Sequence, residues 1–183
     1  MPHTFAYWET DYGMMNEHQL AMGESTCASK AVGPPLGGGP GNALFEIEEL
    51  TRIALERCTT ARCAITTMGD LASTHGFSTI DRDPGDSAEG LAIGDGHEAW
   101  IFHVMPSPVK GEKAIWVAQR VPDDQVAVVA NMFVIRGINL DDSTNFLASP
   151  NVKSAALKVR EGGGGGFGRP SPSFQLPPSP SQK

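Results

Sequence analysis

Apolar residues recur at spacings of three and four from Ile47 to Ala72, and little but an amphipathic helix tolerates that rhythm. Ile47, Leu50, Ala54, Cys58, Ala61, Ile65, Met68 and Ala72 all fall on one face of a 3.6-residue period. Glu46, Glu48 and Glu49 crowd the start, where the positive end of the helix dipole favours acids, and Arg52, Arg57 and Arg62 come later. Asn42 reads as the N-cap. Thr59-Thr60 interrupts the stripe with poor helix formers, and Thr60 can cap a second helix. The segment is therefore an αα-hairpin, closed by His75-Gly76.

Strand patterns lie on either side of it. Phe5-Ala6-Tyr7-Trp8 is aromatic-rich, Tyr12 to Glu17 carries turn-compatible Gly and Asn, and Gln19 to Gly23 runs back. The loop Gly33 to Gly41 holds no regular structure, and Asp81 to Glu89 is a polar loop. Leu91–Ile93 and Ala99–Val104 then flank the hairpin turn Asp95-Gly96. Ala114–Gln119 and Gln125–Ala130 complete a meander around Pro122-Asp123-Asp124. Strands, helices, strands in that order predict an α+β fold with antiparallel sheets.

Composition narrows the function classes. Fourteen basic against 21 acidic residues give a formal charge of −7, which argues against a nucleic-acid partner. No run approaches the ~20 apolar residues of a membrane span, and the first residues lack the basic and apolar regions of a signal peptide. The 21 glycines and 14 prolines concentrate in Gly33–Gly41 and Gly162–Pro180. The second run marks residues 157–183 as a disordered tail behind a folded unit of residues 1–156. Cys58 and Cys63, placed on one helix, face different ways, which argues against a disulfide or a metal clip. The three cysteines accordingly read as free thiols of a reducing, cytoplasmic setting.

Candidate chemistry is sparse. His97 and His103 share a strand face but lack helical ligand spacing, so no metal is expected. Neither glycine run is followed by the Lys-Ser/Thr of a nucleotide loop, so no cofactor is expected either. Asp123-Asp124 and Asp141-Asp142 read as solvated turn carboxylates, and Pro177-Pro178-Ser179-Pro180 as a weak polyproline match. Cys27 follows a turn, with His18 the nearest base in sequence and no third group to complete a catalytic set. Asn16 and Asn131 stand where apolar strand pattern meets a break. Local Asx bonding accounts for such residues, although an amide there can also donate to an oxyanion.

The block Tyr12-Gly13-Met14-Met15-Asn16-Glu17-His18-Gln19-Leu20-Ala21-Met22-Gly23-Glu24-Ser25-Thr26 resembles a stretch of the cysteine dipeptidase family related to secernins. Collinear agreement follows in Leu50–Arg57, Thr60–Arg62, Glu98–His103, Trp116–Asp124, Val128–Phe133 and Asn145–Leu147, so that the likeness covers Phe5 to Val152. The resemblance implies an αββα sandwich of the N-terminal-nucleophile hydrolase superfamily. It implies hydrolysis of dipeptide or small-peptide amide bonds by an N-terminal cysteine, its own α-amino group (pKa about 8) acting as base. Asn16 matches an oxyanion-hole amide and Asn131 a second asparagine on the substrate side. A homo-oligomer is a further partner the resemblance allows. Met1 is no cysteine, and the likeness stops at Val152. The expectation is therefore an internal fragment lacking its first strands and its C-terminal half, inactive as an isolated chain. The alternative is a non-catalytic, secernin-like or partner-binding protein that docks through its tail.

Overall fold

The computed structural model describes residues 3–10, 13–79 and 86–161. The expected αα-hairpin is present as α1 (Ile47–Arg57) and α2 (Ala61–His75). Thr60 caps α2 by accepting a hydrogen bond from the Cys63 amide at 3.2 Å, and Gly76 ends it at φ 90°. The start of α1 differs from the sequence reading. Glu46, rather than Asn42, is the N-cap, and its amide donates to the Glu49 carboxylate at 3.4 Å. The stretch before it is held extended instead, because Phe45 bridges to Phe77 beyond the end of α2.

Seven strands form one antiparallel sheet in sequence order: β1 (Tyr7–Trp8), β2 (Gly13–Asn16), β3 (Ala21–Cys27), β4 (Ala88–Gly94), β5 (Ala99–Pro106), β6 (Ala114–Val121) and β7 (Phe146–Ala148). The helical hairpin is inserted between β3 and β4, and α3 (Val152–Glu161) follows β7. The chain is thus α+β. No helix among the described residues is long and apolar enough to cross a membrane.

Alternation along each strand separates two faces. Met22, Leu91, Ile93, Trp100, Phe102, Val104, Trp116 and Ala118 meet the helical stripe in the main core. The fit is close at Gly69 of α2, where a Cβ would lie 2.2 Å from the Trp116 ring. The opposite face carries a smaller cluster of Ile101, Val117, Ile135 and Ile138.

Two strand expectations need correction. Gly13–Asn16 is a strand rather than a turn. The reversal falls at residues 17–19, where the Gln19 amide bonds the Asn16 carbonyl at 3.0 Å and Gln19 takes φ 65°. Gln125–Ala130 forms no strand, and Val126 is 93% exposed. The place beside β6 is taken by β7, while the 125–138 segment crosses the outer face to reach β3 and β5. Its apolar residues bury only at intervals, so their density mimics a strand without strand pairing. The tail boundary also shifts: residues 157–161, placed in the disordered tail by the sequence, continue the helix that starts at Val152, whose Val152 and Ala155 are buried. The glycine and Ser-Pro tail, with its polyproline match, lies outside the described residues, as does most of the polar loop at 81–89.

The cysteine reading is also overturned. Cys58 and Cys63 form a disulfide, with Cα atoms 5.5 Å apart. The two do not share one helix: Cys58 is the C-cap of α1 and Cys63 sits in the first turn of α2, so the break between the helices brings the sulfurs together. Only Cys27 is a free thiol.

Candidate functional site

Asn16 ends β2 on the helix-facing side of the sheet and is 4% exposed. Its Nδ2 donates to the carbonyls of Leu55 and Cys58 at 2.9 and 2.8 Å, and its Oδ1 accepts from the amides of His18 and Leu20 at 3.0 and 3.2 Å. All four bonding positions of the amide are therefore engaged by backbone. They satisfy carbonyls left over at the end of α1 and fix the β2–β3 turn.

Asn131 lies on the opposite face and is exposed. Its amide nitrogen donates to Ser25 Oγ at 2.8 Å and its Nδ2 to the Thr26 carbonyl at 3.0 Å. Its φ of 51° places it in the left-handed region, which asparagine tolerates better than most residues. The sheet thus separates the two asparagines instead of bringing them together.

Beside Asn131 the outer face carries Cys27 and His103. A methyl group on Gly90 would lie 3.0 Å from His103 Nδ1, 3.1 Å from Val129 Cγ1 and 3.2 Å from Cys27 Sγ, so the three converge over that glycine. Burial, followed by the nearby Glu89 and Glu24, pushes the Cys27 thiol up to about 12. Its Sγ bonds the Ser25 carbonyl at 3.4 Å. His103 is buried, and burial with Arg136 lowers its pKa to about 4. Its Nε2 accepts from the Val134 amide at 3.1 Å, so the neutral ring carries its proton on Nδ1, which has no partner among the described residues. A protonated thiol beside a neutral imidazole is a poor nucleophile pair. Nor does His18, whose ring packs edge-on against Phe5, bond Cys27.

The remaining candidates disperse. His97 sits in the β4–β5 turn, exposed, and does not share a strand face with His103. Asp123 pairs with Arg120, and Asp142 accepts from the amides of Thr144 and Asn145. Glu46, Glu48 and Glu49 bring carboxylate oxygens within 4.8 Å of one another, a grouping explained by the first turn of α1. Sequence reading missed a pair on the helix-facing side: Glu89, 5% exposed, shares a hydrogen bond with Glu24. Burial, then that bond and the Glu24 charge, raises Glu89 to about 10, so it stays protonated. The one signal in the sequence is a glutamate placed inside an otherwise apolar strand, Ala88 to Gly94.

The sequence that builds these features can be placed among known proteins. The family model for Peptidase family C69 matches residues 7–160, and the chain belongs to that family. Among curated proteins, it is 31% identical over 112 residues to a probable dipeptidase of Latilactobacillus sakei. That match takes in 61% of this chain and 20% of the relative, so the matched part spans about a fifth of the relative's length.

Proposed function

We propose that this chain serves the hydrolysis of dipeptide amide bonds in a cysteine-type exopeptidase, and that none of its own three cysteines is the nucleophile. The family match over residues 7–160 carries the first part, and the relative named as a probable dipeptidase agrees with it. The second part rests on the thiols: Cys58 and Cys63 are tied in a disulfide, and Cys27 is buried and held protonated. Amide hydrolysis needs a nucleophile, a base and donors for the developing oxyanion.

Within this reading the two asparagines divide the work. Asn131 is exposed, and one of its two Nδ2 hydrogens is committed, to Thr26; the other is available to a substrate carbonyl. Asn16 has no bonding position left over and acts by positioning the β2–β3 turn. The same membership supports the αββα sandwich as the complete architecture. Trp8 and Met15 pair across β1 and β2 and are 83% and 51% exposed, while their neighbours Tyr7 and Met14 pack on the helix side. A second sheet laid on the outer face would cover them.

The test uses a panel of dipeptides with the purified chain and its Cys27→Ala and Asn131→Ala variants, following binding by NMR shifts and hydrolysis by amine release. Dipeptides are expected to shift resonances around Asn131, and Asn131→Ala to weaken that binding. Any hydrolysis should survive Cys27→Ala. Loss of turnover in Cys27→Ala overturns the assignment of the nucleophile, and absence of dipeptide binding overturns the substrate.

A further inference from the structure

The disulfide joins two unlike sulfurs. Cys58 is 1% exposed and caps the C-terminal end of α1. Cys63 is exposed, in the first turn of α2, three residues after the Thr60 cap. A thiolate at Cys63 is favoured by solvent and by the positive end of the α2 dipole. One at Cys58 is disfavoured by burial and by the negative end of α1. The Thr67 hydroxyl lies 3.3 Å from Cys58 Sγ and 4.0 Å from Cys63 Sγ, in place to donate to either sulfur when the bond opens.

The Cys58 carbonyl is also one of the two acceptors that anchor Asn16. A change at this sulfur pair therefore reaches the β2–β3 turn through a single residue, since Asn16 Oδ1 holds the His18 and Leu20 amides.

We propose that Cys58–Cys63 is a reversible thiol-exchange site, that Cys63 is the sulfur modified by low-molecular-weight thiols, and that its state is read out at the Asn16 anchor. In the exchange, an external thiolate attacks Cys63 Sγ. Exposure directs the attack to Cys63 although Cys58 is the poorer leaving group. The Sγ–Sγ bond breaks, and its electron pair leaves on Cys58 Sγ, which the Thr67 hydroxyl at 3.3 Å stabilises until it takes up a proton. The product is a mixed disulfide on Cys63. A second external thiolate attacks the external sulfur of that adduct, releasing Cys63 thiolate and the oxidised dimer of the small thiol. Two external thiols are oxidised and one protein disulfide is reduced.

The full native chain is incubated in glutathione buffers of graded ratio, quenched with acid, alkylated and mapped by mass spectrometry. The expected result is a glutathione adduct on Cys63, none on Cys58 or Cys27, and re-formation of the disulfide when oxidised glutathione is restored. Cys58→Ser should accumulate more of the Cys63 adduct than the parent at the same glutathione ratio, because the neighbouring protein thiol that would displace it is gone and only external attack remains. Hydrogen exchange on the reduced native chain should show faster exchange at His18 and Leu20. A disulfide that opens only in denaturant, or an adduct on Cys58, overturns the exchange site. Reduction that leaves exchange at His18 and Leu20 unchanged overturns the readout.

Discussion

Asn16→Ala removes four hydrogen bonds at one buried point. At about 1 kcal/mol net for each, the loss is about 4 kcal/mol, a large part of the ~5–15 kcal/mol that holds a typical domain together. Water reaching the carbonyls of Leu55 and Cys58 would lower the figure, and buried amides left without acceptors would raise it. Asn16→Asp separates the two halves of the anchor. It keeps the acceptor for His18 and Leu20 but turns an oxygen toward the two carbonyls, losing about 2 kcal/mol or more. That loss should shrink as pH falls, because a protonated Asp can donate one of the missing bonds. Urea unfolding followed by tryptophan fluorescence reads both effects. With a slope of about 2 kcal/mol per molar, Asn16→Ala lowers the midpoint by about 2 M. A midpoint within about 0.5 M of the parent, combined with weaker dipeptide binding, would falsify the positioning role and return Asn16 to direct contact with substrate.

Gly69→Ala sets helix propensity against packing. Propensity alone favours Ala by about 1 kcal/mol, whereas the overlap of its Cβ with Trp116 costs about 1–3 kcal/mol or more. We expect a lower melting temperature, and a higher one would mean that the helix and sheet have room to separate. Glu89→Gln should stabilise the protein. The folded state holds the Glu89 proton up to about 10 against an ordinary 4.5, so the native glutamate loses stability as pH rises between those values. The gain in melting temperature should accordingly be larger at pH 8 than at pH 5; equal gains would refute the buried proton. His103 should show a neutral ring protonated on Nδ1 in nitrogen-15 spectra at pH 6. Its folded pKa of about 4 lies below the ordinary 6.5, so its contribution is complete above 6.5 and is lost as pH falls toward 4. Faster exchange of the Val134 amide across that fall is the expected companion, and an Nε2–H ring at pH 6 would refute the assignment.

The αα-hairpin was legible because its stripe, its break at Thr60 and its stop at Gly76 all agree. The β4–β5 hairpin was equally clear, since Asp95 fixes the turn by accepting from the amides of His97 and Glu98, and binds the Ala61 amide at the start of α2 as well. The disulfide was not legible, because whether two cysteines five apart can meet depends on where one helix stops and the next begins. The crossing segment 125–138 escaped for a different reason. Its partners Ser25, Thr26 and His103 are remote in sequence, and a segment that lies over a sheet shows no strict period.

The candidate site divides along the same line. Both asparagines were found at breaks in the apolar pattern, where an amide side chain has backbone to satisfy. In the function we propose, which of them is free to reach a substrate depends on how many bonds the fold has already taken from each. Asn16 lies under α1, whose last carbonyls need donors, and the helix takes both of its hydrogens. Asn131 lies over the end of β3, paired there to β4 but beyond its pairing with β2, which stops at Gly23, and the strand takes one hydrogen through the Thr26 carbonyl. The helix end therefore takes both hydrogens of Asn16 where the strand takes one from Asn131, and in the function we propose the spare hydrogen on the outer side of the sheet is the one offered to substrate.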